Sequence, residues 1–279
     1  MGITPEVTDD RSTRSTPRII LASSSPRRQE LIRTLGLPVI IRPANVDEQV
    51  DGSLSPAGIV ETLSLRKALA VAQASTPDDS GVPGTDGSGA FRDIVVGSDT
   101  IVVLDGMVLG KPSGPEEAVR MLASMQGKTH EVYTGLACLD LGRPELGTWK
   151  QSRLGQSLSE MAQLEDAGFA LMEAAPPVEK MGDTGRWRTW ADPASSPGLT
   201  AAAVGHTVSR VTFRPMERRE IEAYVRTGEP LDKAGAYGVQ GIGAVFIEKI
   251  EGDFFSVMGL PLNLLYLMLA RFGIDPFRT

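Results

Sequence analysis

The chain has 279 residues, 41% of them hydrophobic, which is enough for one large domain or two small ones. Its formal net charge is −7 and its pI is near 5.0, which argues against general nucleic-acid binding and against anionic membranes as partners. A single cysteine, Cys138, excludes an intrachain disulfide, and two histidines argue against a histidine-rich metal site.

The N-terminal residues 1–17 mix charged, polar and proline residues and lack the apolar core of a signal peptide. We expect them to form a disordered tail ahead of a single domain over residues 18–279. No apolar run in the sequence is long enough to span a bilayer. A cytoplasmic, reducing location is therefore the default expectation.

The first predicted strand, residues 19–22, leads into a predicted helix start. Ser25 has the character of an N-cap, and Pro26 occupies the first helical position. Arg27 and Arg28 follow, although a helix start already carries partial positive charge and disfavours cations unless an anion joins them. The pattern predicts a phosphate site. A capped surface helix with two solvated arginines is the alternative.

A second helix is predicted from Pro56 to about Ala74. Lys67 falls on its apolar stripe, four residues after Leu63 and four before Val71. A lysine on the inward face of a helix is unusual and needs a partner.

The next predicted strand covers residues 94–97, and Asp99 follows it directly. Polar groups just past the carboxyl ends of strands line the clefts of α/β folds. A hairpin over residues 101–109, a helix from Pro115 and a strand over residues 130–139 complete this part of the chain.

Two stretches rich in Gly, Ser, Pro and charged residues are predicted to be flexible insertions. The first covers residues 76–92 and the second covers residues 141–205, where only residues 157–174 have helical character. Because so long a loop is improbable inside a compact core, we expect the second insertion to be mobile and poorly ordered.

Beyond the second insertion, order resumes with a predicted strand over residues 206–213 and a helix over residues 217–226. Residues 244–250 and 254–258 are predicted as paired strands, and residues 262–272 as a last helix. The alternation of strands and helices indicates the α/β class with a mixed sheet.

A glycine-rich stretch over residues 235–243 precedes the predicted strand pair. It is neither a P-loop nor a dinucleotide fingerprint, because no Gly-Lys-Ser/Thr follows it and a strand rather than a helix comes next. Gln240 within it offers a donor and an acceptor that suit the imide edge of uracil or thymine. A loop glutamine bonded to the backbone is the alternative.

Several charged residues together suggest chemistry that none suggests alone. Carboxylates are hard ligands for Mg²⁺ or Mn²⁺, and cations neutralise phosphate charge, as phosphoanhydride chemistry requires. The cations are Arg27, Arg28, Lys67 and Lys111, and the carboxylates are Glu48 and Asp99. Taken singly, most of these residues are better explained as solvated charges, and their spacing does not show that they meet.

Residues 21–31, Leu-Ala-Ser-Ser-Ser-Pro-Arg-Arg-Gln-Glu-Leu, closely resemble the opening signature of the Maf family of nucleotide pyrophosphatases. The resemblance continues in order through residues 46–48, 97–102, 110–112, 127–130, 229–243 and 257–262. It implies an α/β fold similar to Maf and inosine triphosphatase proteins, with a mixed sheet in two lobes and a central substrate cleft. It also implies hydrolysis of the α–β anhydride of nucleoside triphosphates with a divalent cation, Mg or Mn.

The resemblance also implies residue roles. Asp99 matches the proton acceptor of the family, and Arg28, Glu48, Lys67 and Lys111 match polar positions of its pocket. We therefore predict Asp99, Lys67 and Lys111 as catalytic residues, and the carboxylate chemistry predicts Glu48 and Asp99 as metal ligands. The substrate-binding positions are Ser23, Ser25, Arg27, Arg28, Thr100, Lys233 and Gln240. The form of residues 232–237, together with Gln240, is similar to the dTTP/UTP branch of the family rather than to the 7-methyl-GTP branch.

The leading hypothesis is a cytoplasmic dTTP/UTP pyrophosphatase with a house-cleaning role that extends to modified pyrimidine triphosphates. The same chemistry on 7-methyl-GTP or another base is one alternative, and a non-catalytic regulator of cell division or septum formation is the other. We expect a nucleoside triphosphate as partner, and neither nucleic acid nor a membrane. The oligomeric state stays open, with a homodimer as one candidate.

Overall fold

The computed structural model describes residues 17–74, 92–141, 178–191 and 200–278. The strands are β1 (Pro17–Leu21), β2 (Val39–Ile41), β3 (Arg92–Leu104), β4 (Met107–Leu109), β5 (Thr129–Asp140), β6 (Glu179–Met181), β7 (Gly185–Ala191), β8 (Thr200–Phe213) and β9 (Ile247–Glu251). The α-helices are α1 (Pro26–Arg33), α2 (Pro56–Ala74), α3 (Pro115–Met125), α4 (Arg218–Arg226), α5 (Phe254–Met258) and α6 (Leu262–Arg271). Short 3₁₀ helices cover Glu229–Asp232, Ala234–Ala236, Ile242–Phe246 and Pro276–Arg278.

All nine strands belong to one mixed sheet, which confirms the predicted α/β class. Strands β2, β1 and β3 pair in parallel, and the remaining pairs are antiparallel in the order β3-β5-β8-β7-β6. Strand β4 folds back on β3, and β9 pairs with β8. Within these described ranges, no helix combines the length and the apolar character needed to cross a bilayer.

A polar triplet at residues 98–100 interrupts the apolar sequence of β3. On one face of the strand, Ile94 and Val96 belong to one apolar core, while Val102 and Leu104 belong to another. The triplet therefore lies between the two apolar cores.

Asp99 lies inside β3 and not after a strand end, so the predicted boundary at Gly97 is wrong. The reason is that β3 changes partners: its parallel pairing with β1 ends at Leu21 and Val96, while its antiparallel pairing with β5 continues through Asp99. Asp99 thus lies just past the parallel section. Strand β3 also begins at Arg92, the last residue of the predicted first insertion, and residues 76–91 lie outside the described part of the chain.

Helix α2 packs with its backbone directly against the sheet because two strand residues have no side chain. A Cβ atom on Gly97 would lie 2.2 Å from the carbonyl oxygen of Ser64, and one on Gly135 would lie 2.0 Å from that of Val60. Only glycine leaves room for the helix at these two points. The close approach turns Lys67 toward β3, and only 11% of its side chain is exposed, which confirms the predicted inward orientation.

The prediction of a mobile insertion over residues 141–205 is wrong for the parts that the structure describes. Strands β6 and β7 form a hairpin, and β7 pairs with β8, which itself begins at Thr200. Trp187 on β7 is 4% exposed and packs into the core. Residues 142–177, with the predicted helical stretch 157–174, and residues 192–199 lie outside the described ranges, as does the predicted tail up to residue 16.

Residues 254–258 form helix α5 and not the second strand of the predicted pair. The Asp253 carboxylate accepts a hydrogen bond of 3.0 Å from the backbone N–H of Phe255, so it caps the helix start. Gly259, with φ of 108°, ends the helix. A short apolar run of five residues carries too little periodicity to separate helix from strand.

His130 is a buried histidine at the start of β5. Its side chain is 1% exposed, and its Nε2 atom lies 2.9 Å from the hydroxyl of Tyr237. Its Nδ1 atom has no hydrogen-bond partner among the described residues. Burial lowers the pKa of His130 from 6.5 to about 4, so the folded protein holds this ring neutral.

Replacement of Gly135 by Ala should destabilise the protein by at least about 2 kcal/mol, because the new methyl group would overlap the α2 backbone. Chemical denaturation of both proteins measures this difference. Gly52→Ala is the matched control, since no atom lies within 4 Å of its Cβ position. Equal unfolding free energies for the Gly135 and Gly52 variants would contradict the close-packing argument.

The stability of the protein should fall as the pH is lowered from 6.5 toward 4, in part because of His130. In this window the ring is protonated in the unfolded chain but not in the folded chain. The free energy of unfolding therefore falls by up to about 1.4 kcal/mol for each pH unit. Above pH 6.5 both states are neutral and the contribution is complete. Denaturation at several pH values should give a shallower dependence for His130→Gln than for the wild type; parallel curves would rule out a lowered pKa.

Candidate active site

The turn from β1 into α1 is formed as the sequence predicts. Ser25 is the N-cap, and its hydroxyl accepts a long hydrogen bond of 3.5 Å from the backbone N–H of Arg28. The hydroxyl of Ser23 accepts another from the backbone N–H of Ser25 at 3.2 Å. No acidic residue occupies the first turn of α1. The positive charges of Arg27 and Arg28 are therefore not compensated within the helix start.

Arg28 is held by three neutral acceptors on different parts of the chain. Its Nε donates to the carbonyl oxygen of Gly259 at 2.7 Å, and its Nη2 donates to the hydroxyl of Thr100 at 3.1 Å. Its Nη1 makes a long contact of 3.5 Å with the hydroxyl of Ser23. A Cβ on Gly259 would come within 3.2 Å of the Arg28 Nε, so a glycine here leaves room for the guanidinium.

Lys67 connects two carboxylates that are distant in sequence. Its Nζ lies 2.6 Å from Oδ1 of Asp99 and 2.7 Å from Oε1 of Glu48. Asp99 is nearly buried, with 11% of its side chain exposed, whereas 56% of Glu48 is exposed. Because one ammonium group contacts both, the two carboxylates face the same point of the cleft.

The charges of Lys111 and Arg28 act on Glu48 and thus on the Lys67 group. The hydrogen bond from Lys67 is the main cause that lowers the pKa of Glu48, and the charges of Lys67, Lys111 and Arg28 add to the lowering. Burial lowers the pKa of Arg28, and the negative charge of Asp99 opposes that change. Hydrogen bonds and ion pairs thus connect Arg28 with Thr100 and Lys67 with Glu48 and Asp99, while Lys111 is linked to this group only through its charge.

The positive charge of Arg27 acts on two residues outside the Lys67 group, Tyr224 and Asp232. Burial raises the pKa of Tyr224, and the positive charge of Arg27 opposes that rise. The hydrogen bond from Lys233 lowers the pKa of Asp232, and Arg27 contributes to the same lowering. Lys233 itself is tied down, since its Nζ donates to the carbonyl oxygen of Glu229 and to Asp232 Oδ1, both at 2.6 Å.

Gln240 has an exposed side chain that forms no hydrogen bond within the described part of the chain. The loop around it is held by Glu229, a residue to which sequence reasoning assigned no role. Oε2 of Glu229 accepts from the backbone N–H of Ile242 at 2.9 Å, and Oε1 accepts from the N–H of Gly243 at 3.2 Å. The hydroxyl of Tyr224 also donates to Glu229 Oε1, at 2.8 Å.

Sequence reasoning also gave no role to Gly259, the acceptor for Arg28. These two residues are 231 positions apart, so no local pattern connects them. The motif at residues 257–262 marked the region. A glycine after an apolar run is a common helix C-cap, and Gly259 has the left-handed backbone of such a cap, with φ of 108°.

The chemistry of the carboxylates fits a hard divalent cation such as Mg²⁺. Glu48 and Asp99 would supply two oxygen ligands from the same side of the cleft. No cluster of three or more His, Cys, Asp or Glu side chains suited to a metal occurs in the described ranges. Such a cation would therefore take its other ligands from water and substrate, as Mg²⁺ commonly does.

Comparison with known proteins identifies the family of the chain. The family of Maf-like proteins matches residues 18–172 and 194–272, which leaves the whole β6–β7 hairpin outside the match. A protein of Moorella thermoacetica named dTTP/UTP pyrophosphatase is 39% identical over 258 residues, covering 92% of this chain and 96% of that relative.

Two further relatives carry the same name. The protein of Desulforamulus reducens is 37% identical and covers 92% of this chain and 97% of its own length. That of Symbiobacterium thermophilum is 38% identical, over 93% of this chain and 96% of its own length. The match to the family and the extent of these likenesses show that the chain belongs to the Maf family.

Proposed function

We propose that the protein hydrolyses dTTP and UTP to the nucleoside monophosphate and pyrophosphate. The observation that carries this proposal is a set of cations without carboxylate partners, two at the start of α1 and one that acts on Glu48. Within the described ranges Arg27, Arg28 and Lys111 form no ion pair, while Lys67 is shared by two carboxylates. In a protein with a net charge of −7, such a set of cations suits a polyanionic substrate.

Asp99 is the proton acceptor in this proposal. Lys67 contacts Oδ1, and Oδ2 accepts no hydrogen bond among the described residues, so one oxygen is available to a water molecule. The water oxygen bonds to the α-phosphorus, and its proton passes to Asp99. The bond from the α-phosphorus to the oxygen that bridges to the β-phosphate breaks, and pyrophosphate leaves with that oxygen.

The cations bind the triphosphate and stabilise the charge that develops on it. Arg28 is pre-oriented by its bonds to Gly259 and Thr100, so little conformational freedom is lost when phosphate oxygens join it. Lys67 is held by Asp99 and Glu48 and presents its charge at the reacting end. Lys111 is exposed and adds a third positive charge near Glu48.

A divalent cation, Mg²⁺ or Mn²⁺, would be held by Glu48 and Asp99. When bound, it would offset phosphate charge and make water more acidic. Glu48 suits this function because its carboxylate is ionised and more than half exposed.

Pyrimidine recognition is proposed for the loop that carries Gln240. The Gln240 amide is exposed and free of hydrogen bonds to the described residues, so its donor and acceptor are both available to a base. The dTTP/UTP name of the relatives supports the same choice of base. Glu229 fixes the loop, which makes the position of Gln240 well defined.

Pyrophosphate release from a panel of triphosphates with Mg²⁺ or Mn²⁺ tests the function directly. We expect turnover of dTTP and UTP, with kcat/KM at least about 10-fold above that for dCTP and 7-methyl-GTP, and loss of turnover with excess chelator. A preference for 7-methyl-GTP would overturn the assignment of the base. No release from any triphosphate would overturn the enzymatic proposal itself.

Replacement of Asp99 by Asn should lower kcat by at least about 100-fold, because the amide cannot accept a proton from water. The fold should persist, since the amide side chain retains an oxygen that can accept a hydrogen bond from Lys67; circular dichroism and thermal unfolding check this. Asp105→Asn removes the same charge from an exposed turn at the end of β3, where φ is 51° and asparagine is well tolerated. Near-normal turnover by Asp99→Asn would remove Asp99 from its assigned role.

A further inference from the structure

We propose that Thr134 is a positioning residue that sets the orientation of Arg28 through a buried chain of hydroxyl groups. The inference rests on the proposed function, because Arg28 is assigned there to the triphosphate. Thr134 lies on β5, opposite Thr100 of β3, and its side chain is 0% exposed. It cannot touch the substrate, so any effect on turnover must pass through its neighbours.

The chain of hydroxyl groups begins at the guanidinium. Nη2 of Arg28 lies 3.1 Å from Oγ1 of Thr100, which in turn lies 3.1 Å from Oγ1 of Thr134. Oγ1 of Thr134 lies 2.8 Å from the carbonyl oxygen of Ser256 in helix α5. Three segments that are far apart in sequence are thus connected to one arginine.

The direction of each hydrogen bond follows from the number of protons. A threonine hydroxyl has one proton, and that of Thr134 must go to Ser256, because a carbonyl oxygen can only accept. The bond between the two threonines is therefore donated by Thr100. With its proton used in this way, Thr100 presents only lone pairs on its other side, and this is what the Arg28 N–H group requires.

Helix α5 is held in place by the far end of the same network. Thr207 of β8 donates to the hydroxyl of Ser256 at 2.8 Å, and Ser256 donates to Oδ2 of Asp253 at 2.5 Å. Both Thr207 and Ser256 are 0% exposed. A buried network with all members satisfied has one preferred arrangement, so it fixes the helix relative to the sheet.

The position of α5 matters because Gly259 ends it. The carbonyl oxygen of Gly259 accepts from Arg28 Nε at 2.7 Å and lies 2.9 Å from the hydroxyl of Ser98, whose single proton is shared with the carbonyl oxygen of Gly135 at the same distance. Thr134 thus acts on Arg28 by two routes, through the lone pair of Thr100 and through the helix that carries the Gly259 carbonyl. Loss of the Thr134 hydroxyl should therefore weaken the hydrogen bonds of Arg28 to Thr100 and to Gly259, although no residue of the proposed site is replaced.

The first test compares Thr134→Val with Thr134→Ser by kcat/KM for dTTP or UTP. Valine keeps the branched shape and removes the hydroxyl, and we expect about a 10-fold loss; serine keeps the hydroxyl and should recover most of the wild-type value. Thr129→Val is the matched control, since Thr129 pairs with Thr212 across strands β5 and β8 at 2.8 Å in an exposed position. Its kcat/KM should stay within about two-fold of wild type.

The second test asks whether the effect passes through Arg28. In a double-mutant cycle with Arg28→Lys, which keeps the charge but loses the forked donors, Thr134→Val should cause little further loss. A double variant whose loss in kcat/KM equals the product of the two single losses would contradict the proposal. A Thr134→Val enzyme as active as the wild type would contradict it as well. If Thr134→Val does not fold, Thr134→Ala and Thr134→Ser form the comparison, because they differ only in the hydroxyl.

A third measurement does not depend on turnover. The Nε–H resonance of Arg28, identified by its absence in Arg28→Lys, should exchange with water several-fold faster in Thr134→Val than in wild type or Thr129→Val. Wild type that releases no pyrophosphate would overturn the proposed function and leave this readout intact. Unchanged exchange in Thr134→Val would overturn the positioning inference alone.

Discussion

The site depends on the contact of one ammonium group, that of Lys67, with the carboxylates of Asp99 and Glu48. A nearly buried lysine is tolerated only when its charge is paired, and here two partners lie at 2.6 and 2.7 Å. The contact exists because α2 lies so close to the sheet over Gly97 and Gly135 that neither position has room for a Cβ atom. Two residues without side chains therefore decide where the central charge of the site is placed.

Arg28 is held by a different kind of interaction from Lys67. All of its hydrogen bonds go to neutral oxygens of Gly259, Thr100 and Ser23, so its orientation is fixed while its charge stays uncompensated by any directly bonded carboxylate among the described residues. The charge of Lys67, by contrast, is shared with the two carboxylates that hold it. In the proposed function, a triphosphate would meet one cation whose charge is already shared and another whose charge is available, and this difference follows from the choice of acceptors.

Much of this arrangement could be predicted from local sequence patterns. The cap at Ser25 and the inward phase of Lys67 are properties of one helix each, and they appear in the structure as expected. The partners of Arg28 could not be predicted in this way, because Gly259 is 231 residues away and the Thr134–Ser256 bond spans 122 residues. Periodicity reports which face of an element is apolar, and it carries no information on which distant oxygen meets which donor.

The hairpin of β6 and β7 was missed for a related reason. Its sequence is rich in glycine and charged residues, which composition assigns to loops, although Gly182 and Asp183 form a turn between two short strand-like runs. The hairpin is stabilised by what it packs against: β7 pairs with β8, and Trp187 enters the core with Arg271 over its ring at 5.6 Å. Tertiary packing, not local propensity, makes this segment a strand pair.

The two arginines at the start of α1 have different surroundings in the structure. Successive residues on a helix point about 100° apart, so Arg27 and Arg28 diverge from the same turn. Arg28 turns toward β3 and the end of α5, where its bonds to Thr100 and Gly259 place it. Arg27 acts on Tyr224 and Asp232, beside the loop that carries Gln240. One helix start therefore supplies two positive charges with different surroundings, and in the proposed function Arg28 would act beside Thr100 while Arg27 would act beside the loop that carries Gln240.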